Sequence, residues 1–350
     1  MTSAAEATTA ERPAAEHNEL QNDELFDVTI IGGGPAGLYG AFYAGLRQMK
    51  TKIVDSLPEL GGQLNALYPE KYVYDMPGYP KVLARDLANS LIEQGTRFHP
   101  AICLDEKVLR LQHEADETIT ITTQRGTHHT KTLIIATGAG AFSPTKLDAP
   151  GLEAFEGNGV HYFVKDKSQF AGKRLLIVGG GDSALDWAMN LEADAAKVTL
   201  IHRRDTFRAH EESVDWLLNR SNTEVRLWHE LKRVEGNGVV NRAVVGNSKT
   251  SEEQELEVDA VLLNLGFKAD IGPLRDWGLE LHGNKKIVVN EQMETNLPGV
   301  FAAGDITHHA GKIDLIATGV GEICIAVNLA KTHIDPKAKL FPGHSSNMIL

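Results

Sequence analysis

The chain has 350 residues, which is about two domains at roughly 150 residues each. Hydrophobic residues make up 42% and charged residues 23%. No stretch approaches the roughly 18 consecutive apolar residues of a membrane-spanning helix. The net charge of −12 argues against general nucleic-acid binding, because that function needs basic surfaces. These values exclude an integral membrane protein and a mostly disordered one.

The first 24 residues differ in composition from the rest of the chain. They carry six acidic residues and one basic residue, and they are rich in alanine, threonine and glutamate. They lack the basic and apolar regions of a secretory signal. We therefore predict a disordered N-terminal extension over residues 1–24.

A repeated pattern occurs at residues 28–55 and 175–202. The first copy begins VTIIGGGPAGLYG and ends KIVD, and the second begins LLIVGGGDSALDW and ends VTLIH. Each copy predicts a strand, a glycine turn, a helix and a second strand. Two copies predict an α/β protein with two Rossmann-like, three-layer nucleotide-binding domains.

The glycines of each turn have a distinct physical role. Gly32 permits the tight turn after the strand, Gly34 lets the backbone approach a pyrophosphate, and Gly37 allows close helix packing. The amides and dipole at the start of the helix then stabilise phosphate charge. The corresponding turn of the second copy contains Gly179, Gly181, Ser183 and Ala184.

The residue after each second strand distinguishes the two nucleotides. Asp55 can accept hydrogen bonds from ribose hydroxyls and repels a 2′-phosphate, so the first unit is expected to bind FAD or NAD. At the equivalent place His202 is followed by a group of arginines whose guanidinium groups match phosphate geometry. The second unit is therefore expected to bind NADP(H) through His202, Arg203, Arg204 and Arg208.

Two further apolar runs predict strands of the first unit. Residues 131–138, KTLIIATG, end in a turn of small residues, and residues 299–305, GVFAAGD, end at Asp305. Asp305 can reach a ribityl hydroxyl or the pyrophosphate, but it also fits the N-cap of a helix over 315–330. His308 and His309 point to opposite faces of a strand and have no evident third ligand, so we predict no metal site.

The two cysteines, Cys103 and Cys324, are far apart and form no CxxC motif. No disulfide framework is expected, and a reduced, cytoplasmic setting fits best. Cys103 lies in an apolar strand context and Cys324 in a helix context, so both are interpreted as packing residues.

Several motifs together resemble a known family of flavoproteins. The ATG turn, the GVFAAGD strand and the paired glycine turns resemble flavoproteins with two dinucleotide-binding domains. VGGGDSALDWA and HRRDTFRAH are similar to low-molecular-weight thioredoxin reductases, which carry a CxxC before the second glycine turn. The matching segment here, residues 159–174, has no cysteine. With GGQLNALYPEKYVYDMPGYP, AVNLAKTHIDP and a tail containing HSS, the chain from about residue 25 resembles the cysteine-free thioredoxin reductase-like ferredoxin/flavodoxin–NADP+ reductases.

This resemblance implies particular FAD contacts. Tyr68 is expected to stack on one isoalloxazine face and His344 on the other, with Phe341 as a competing stacker. Asp55 is expected to contact the adenosine ribose, and Val108 the adenine through its backbone. The remaining implied contacts are the turn with Gly32, Gly34 and Ala36, and the residues Gln63, Phe142, Asp305 and Ser346.

The resemblance also implies a domain order and a reaction. An FAD domain over 25–142 and 272–350 holds an inserted NADP domain over 143–271, and a C-terminal tail covers the flavin. Hydride passes from NADPH to flavin N5, and single electrons pass on to ferredoxin or flavodoxin, without a catalytic acid or base. A homodimer is implied as well.

Other functions stay open: a flavin disulfide reductase, an NADPH oxidase or diaphorase, and a redox sensor with slow turnover. The acidic net charge is a difficulty for docking an acidic ferredoxin. Lys165, Lys167, Lys173 and Arg174 are candidates for a basic docking patch, and a solvated lysine cluster is the competing interpretation.

Overall fold

Two mainly parallel sheets, each carrying one of the glycine turns, organise the chain. The structure, a computed structural model, describes residues 24–344 and residue 346, except for the side chains at 141–143 and 267–269. The predicted N-terminal extension therefore lies outside the described residues, apart from Glu24.

The first sheet is built from the N-terminal part of the chain. In order, its elements are β1 (Leu25–Ile31), α1 (Pro35–Leu46), β2 (Thr51–Val54), α2 (Gln63–Ala66), β3 (Tyr72–Val73), β4 (Val82–Leu83), α3 (Ala84–Thr96), β5 (Ala101–Cys103), β6 (Val108–His113), β7 (Ile119–Thr123) and β8 (Thr127–Ile135). The sheet order is β5–β2–β1–β8–β7–β6. Strands β5, β2, β1 and β8 are parallel, and β6 and β7 continue the sheet antiparallel.

The second sheet lies in the middle of the chain. After β9 (Ala141–Pro144) come β10 (Val160–His161), β11 (Arg174–Gly179), α4 (Asp182–Leu191), β12 (Lys197–His202), α5 (Glu211–Asn219), β13 (Glu224–Leu227), β14 (His229–Asn237), β15 (Val239–Asn247), β16 (Glu253–Glu257), β17 (Ala260–Asn264) and β18 (Phe267–Asp270). Strands β10–β17–β11–β12–β13 form a parallel sheet, and β14–β15–β16 form an antiparallel one. The crossover strands β9 and β18 pair with each other.

The C-terminal part of the chain returns to the first sheet. Its elements are β19 (Leu281–His282), β20 (Lys286–Val288), β21 (Val300–Ala302), β22 (Thr307–His308) and α6 (Ile316–Ile334). Strand β21 pairs in parallel with β8, with Phe301 opposite Ile134. The domain of the first sheet, called the outer domain below, is therefore discontinuous. The domain between β9 and β18 is called the inserted domain, and the predicted boundaries at 142/143 and 271/272 stay predictions.

The repeat seen in the sequence appears as repeated structure. Helix α1 begins at Pro35 and α4 at Asp182, which are equivalent positions of the two copies. Val28, Ile30, Leu176 and Ile177 are fully buried, as expected for strands covered on both faces. The prediction of two Rossmann-like domains is confirmed.

The two domains have separate hydrophobic cores. One cluster unites β1, β8, α1 and α6 of the outer domain, including Leu38, Ile134 and Ile323. Two other clusters cover the two faces of the inserted sheet. Among the described residues, no buried hydrophobic residue of these clusters belongs to the outer-domain cluster. In the described part of the chain, no helix is both long enough and apolar enough to span a membrane.

Candidate functional site

The first glycine turn has the shape needed for close approach of a ligand. Gly32 has a φ of +112°, and a Cβ there would lie 2.3 Å from the carbonyl oxygen of Ala136. A Cβ on Gly37 would lie 1.8 Å from the carbonyl oxygen of Gly32, so only glycine permits this packing. A Cβ on Gly34 would instead make only an ordinary van der Waals contact, 3.8 Å from the Cα of Gly62. The first two positions shape the turn, and the third leaves room for a ligand.

A cavity of about 550 Å³ begins at this turn. It is lined by the two parts of the outer domain, and Phe163 and Lys165 of the inserted domain also reach its wall. The sequence-predicted FAD residues that line the cavity are Gly32, Gly34, Ala36, Asp55, Gln63, Tyr68, Val108 and Asp305. One cavity thus collects residues that are widely separated along the chain.

Asp55 lies at the end of β2 and faces this cavity. One carboxylate oxygen accepts the Gly33 N–H at 2.5 Å, and the other accepts the Leu57 N–H at 2.8 Å. Burial raises the pKa of Asp55, and the backbone donors oppose that rise. The carboxylate is therefore held in a fixed orientation, with lone pairs left for ribose hydroxyls.

Tyr68 and Asp305 both lie at the cavity wall, and the charge of Asp305 acts on the Tyr68 phenol. Burial, together with the charges of Asp305 and Asp75, raises the pKa of Tyr68 to about 12, so the ring carries a neutral phenol. Burial, with the charge of Asp314, raises the pKa of Asp305. The interpretation of Asp305 as a helix N-cap is wrong, because α6 begins only at Ile316 and Leu315 occupies the N-cap position.

Two buried polar atoms fit the presence of nucleotides at the two glycine turns. Thr137 lines the cavity, and its buried hydroxyl finds no hydrogen-bond partner among the residues that the structure describes. The side-chain oxygen of Asn264, at the end of β17, is buried and equally unpartnered within the described ranges. The backbone of Asn264 lies against the second turn, since a Cβ on Gly179 would be 2.4 Å from its carbonyl oxygen. Buried polar atoms usually find a partner, so these two suit a bound ligand.

The second glycine turn carries the predicted NADP residues. Arg208 donates its backbone N–H to the carbonyl oxygen of Gly180 at 2.7 Å, and its side chain borders a recess of about 350 Å³. The His202 ring stacks on Phe207 with centroids 5.3 Å apart, and burial lowers the pKa of His202. Arg203, Arg204 and Arg208 are exposed, and their guanidinium groups form no ion pair with any described residue. Gly179 is the last residue of β11, Gly181 is the N-cap of α4, and Ser183 lies in the first turn of that helix.

The C-terminal tail does not reach the cavity wall in its described part. The Arg47 guanidinium donates to the carbonyl oxygens of Lys339 and Leu340, at 2.7 and 3.0 Å, and anchors the start of the tail. His344 is exposed and contacts the edge of Phe341, with ring centroids 5.3 Å apart. Ser346 is also exposed, and the Phe142 side chain lies outside the described part of the chain. The roles of these residues stay predictions.

Sequence reasoning missed a buried charged group beside the cavity. Glu322 lies on α6 and accepts the Gly304 N–H at 2.8 Å, directly next to Asp305. Its two carboxylate oxygens also accept the Lys312 ammonium at 2.7 and 2.8 Å, and one of them contacts His309 Nε2 at 3.0 Å. A single glutamate in the otherwise apolar run of α6 was the available signal. His309 is thus engaged with Glu322, and the neighbouring His308 stacks on His282.

A second polar cluster includes Glu106, which lines the cavity. Cys103, Glu106 and His128 bring potential metal-ligand atoms within 4.8 Å of one another. The Lys52 ammonium lies 2.9 Å from His128 Nδ1, and His128 Nε2 lies 2.8 Å from Glu106. If Lys52 donates, the imidazole proton lies on Nε2 and is donated to Glu106. The Lys52 charge opposes a cation here, and the network holds the turn that leads into Val108.

Two dinucleotide-binding domains, one inserted into the other, with a long cavity at the first glycine turn define a nucleotide-dependent oxidoreductase of the flavoprotein type. The sequence matches the family model described as pyridine nucleotide-disulphide oxidoreductase over residues 26–322. The chain belongs to this family.

Relatives and solved structures refine this assignment. The chain is 51% identical to a ferredoxin–NADP reductase of Halalkalibacterium halodurans, over 94% of this chain and 99% of that protein. It is 50% identical to ferredoxin–NADP reductase 2 of Shouchella clausii, over 94% of this chain and 99% of that protein. The structure is similar to thioredoxin reductase of Lactococcus lactis, with a TM-score of 0.74 and 29% identity over 88% of this chain and 99% of that one. The resemblance inferred from the sequence motifs is confirmed.

Proposed function

We propose that this chain is an FAD-dependent ferredoxin–NADP+ reductase that oxidises NADPH and passes electrons to ferredoxin or flavodoxin. The main observation in support of this proposal is the cavity that brings Asp55, Tyr68 and Asp305 together beside the first glycine turn. The relatives at about half identity support the choice of reaction, since they are ferredoxin–NADP reductases. Bound FAD would supply the hydride and single-electron chemistry.

The residues of the outer domain have positioning roles in this proposal. The turn with Gly32, Gly34 and Ala36 would receive the FAD pyrophosphate at the N-terminus of α1. Asp55 would bind the ribose, and Val108 would meet the adenine with its backbone. The flavin would be held by Gln63, Tyr68, Phe142, Asp305 and Ser346, with His344 on the face opposite Tyr68.

The residues of the inserted domain would select the second nucleotide. The unpaired guanidinium groups of Arg203, Arg204 and Arg208 suit the 2′-phosphate of NADP(H), because guanidinium binds phosphate through two parallel hydrogen bonds. Burial lowers the pKa of His202, and its ring would pack beside them. The turn containing Gly179, Gly181 and Ser183 would hold the pyrophosphate.

Ion pairs within the chain weaken the case for the basic docking patch suggested by the sequence. Arg174 is paired with Asp259 at 2.9 Å, and Lys167 lies 3.6 Å from Asp194. These carboxylates offset much of the local positive charge around Lys165 and Lys173. The interpretation of these residues as a solvated cluster is the better supported one. We further propose a homodimer and a cytoplasmic setting, on the resemblance to the family and the cysteine content.

One experiment tests the proposal. The purified protein is expected to retain FAD and to reduce cytochrome c with NADPH at a rate that ferredoxin or flavodoxin strongly stimulates. Fast oxygen consumption without a carrier would instead indicate an NADPH oxidase, and reduction of a protein disulfide would indicate a disulfide reductase. Negligible turnover with either carrier would favour a sensor and contradict the proposal.

A second experiment tests the NADP assignment. Replacing Arg203 and Arg204 together by alanine should raise the NADPH KM about 10-fold or more, because two charge-assisted contacts are lost. The KM for NADH should change little. Arg110, an exposed arginine of the outer domain, provides the matched control. An equal effect on both nucleotides would contradict the phosphate assignment.

A further inference from the structure

An ion pair connects the outer domain to the inserted domain. The Lys71 ammonium lies 2.8 Å from a carboxylate oxygen of Asp186. The Lys71 side chain is only 16% exposed and that of Asp186 36%, so the pair is partly shielded from solvent. The domains have separate cores and are joined by the two crossover strands β9 and β18. A contact between the domains outside these two strands can therefore restrict the relative orientation of the domains.

Lys71 is fixed to the segment that carries Tyr68. Its backbone N–H donates to the carbonyl oxygen of Tyr68 at 3.0 Å, and its own carbonyl accepts the Ala84 N–H at 2.8 Å. This hydrogen bond couples the position of Lys71 to that of Tyr68 at the cavity wall. A displacement of the lysine side chain would therefore also displace the wall, which lies three residues earlier in the chain.

Asp186 is fixed to the helix that starts at the second glycine turn. It lies on α4, one turn after Asp182, and its neighbour Trp187 is 3% exposed in the core of the inserted domain. The Lys71 ammonium also lies 5.6 Å from the centroid of the Trp187 ring. Since α4 is anchored by Trp187, Asp186 cannot shift without moving the second glycine turn.

We propose that Lys71 and Asp186 are a positioning pair that sets the angle between the two nucleotide-binding domains for hydride transfer. The pair joins the Tyr68 segment to the helix of the NADP turn, and it touches neither nucleotide site directly. This inference rests on the proposed function. Phe163 and Lys165 of the inserted domain reach the cavity wall, which places the domain interface beside the same cavity.

The test compares single variants with a charge exchange in the full-length, FAD-loaded protein. Lys71→Met and Asp186→Asn should each slow NADPH-driven bleaching of the flavin absorbance about 5-fold, the size of effect that a partly buried ion pair can carry. The NADP+ Kd by calorimetry should stay within about 2-fold, because neither residue is at the phosphate site. The double variant K71D/D186K should recover most of the bleaching rate.

A structural readout accompanies the rates. Small-angle X-ray scattering of the single variants should show a changed interatomic distance distribution, and the charge exchange should restore the wild-type curve. Lys81→Met is the matched control, since Lys81 lies in the same hairpin and contacts Tyr72 of its own domain. Lys71→Arg should keep both readouts if Lys71→Met proves insoluble.

The outcomes separate this inference from the proposed function. Unchanged scattering and unchanged bleaching in the single variants would overturn the positioning role. A slow charge-exchange variant would overturn it as well, because the pairing itself would then not matter. Absence of carrier-stimulated cytochrome c reduction in the unmodified protein would instead overturn the proposed function, whatever the variants do.

Discussion

Replacing Glu322 by glutamine is expected to destabilise the outer domain and to weaken FAD retention. Glu322 is 5% exposed, and its carboxylate receives donors from Gly304, Lys312 and His309. A glutamine offers a single acceptor oxygen and turns its amide nitrogen toward these donors. The side chain of Lys312 is 4% exposed and would keep its charge without a full counter-charge.

The magnitude follows from the burial of both partners. Removing one partner of a buried ion pair costs about 3–5 kcal/mol, because the remaining charge is left desolvated and unpaired. The double variant E322Q/K312M should cost less than the sum of the single changes, since it removes that stranded charge. Gly304 precedes Asp305, so loss of the Gly304–Glu322 hydrogen bond should displace Asp305 in the cavity wall and raise the FAD Kd. A loss of about 1.4 kcal/mol of binding free energy corresponds to a rise of about 10-fold.

The assay is urea unfolding at pH 7.5, followed by circular dichroism, with FAD release measured by its fluorescence. Glu230→Gln provides the control, since Glu230 pairs with Lys232 at 3.2 Å in an exposed setting of the inserted domain. The control should leave the unfolding midpoint unchanged. An E322Q midpoint equal to that of the unmodified protein, or a double variant as unstable as the sum of the single ones, would refute the reasoning.

Three further predictions address the cavity, the thiols and acid stability. Gly34→Val should abolish FAD binding while circular dichroism stays unchanged, because the valine side chain would enter the cavity that Gly34 lines; retained FAD would contradict this. Burial raises the thiol pKa of Cys103 and Cys324 to about 11, so iodoacetamide should label both cysteines slowly at pH 8. A variant with both cysteines replaced by alanine should keep its activity, and lost activity would favour a thiol mechanism. Burial lowers the pKa of His128, so the unfolded chain takes up the proton first and stability should fall as the pH drops below about 6.5. His128→Gln should flatten this dependence of the urea midpoint on pH, and an unchanged slope would contradict the assignment.

The sequence predicted the parts of the site whose signals are local. The repeat located both glycine turns, and the residue after each second strand identified Asp55 and the arginines. The structure has these residues beside the two turns, because strand, turn and helix are contiguous and the turn geometry depends on a few glycines. Their roles toward the nucleotides stay predictions. Several residues that line the cavity, such as Gly32, Asp55 and Thr137, follow closely after strands of the first sheet, which is why a local pattern could locate them.

The parts that the sequence did not reveal depend on pairing between distant segments. Glu322 meets Gly304 across the β21–α6 connection, and Lys71 meets Asp186 across the domain interface. Neither pair has a local pattern, because only the packing of helices on sheets brings such partners together. The N-cap interpretation of Asp305 failed for a related reason, since ten residues that include strand β22 separate it from the first residue of α6.

The comparison with the thioredoxin reductase fold shows where the reaction class is decided. The chain is 29% identical to the enzyme of Lactococcus lactis and has a similar fold, so the fold does not distinguish a dithiol reaction from transfer to a carrier. The distinction must lie in the residues that reach the cavity. From the inserted domain these are Phe163 and Lys165, which cannot undergo thiol exchange, and neither cysteine is among the described residues that line the cavity. Under the proposed function, electrons therefore leave the protein from the cavity itself and not through a pair of thiols.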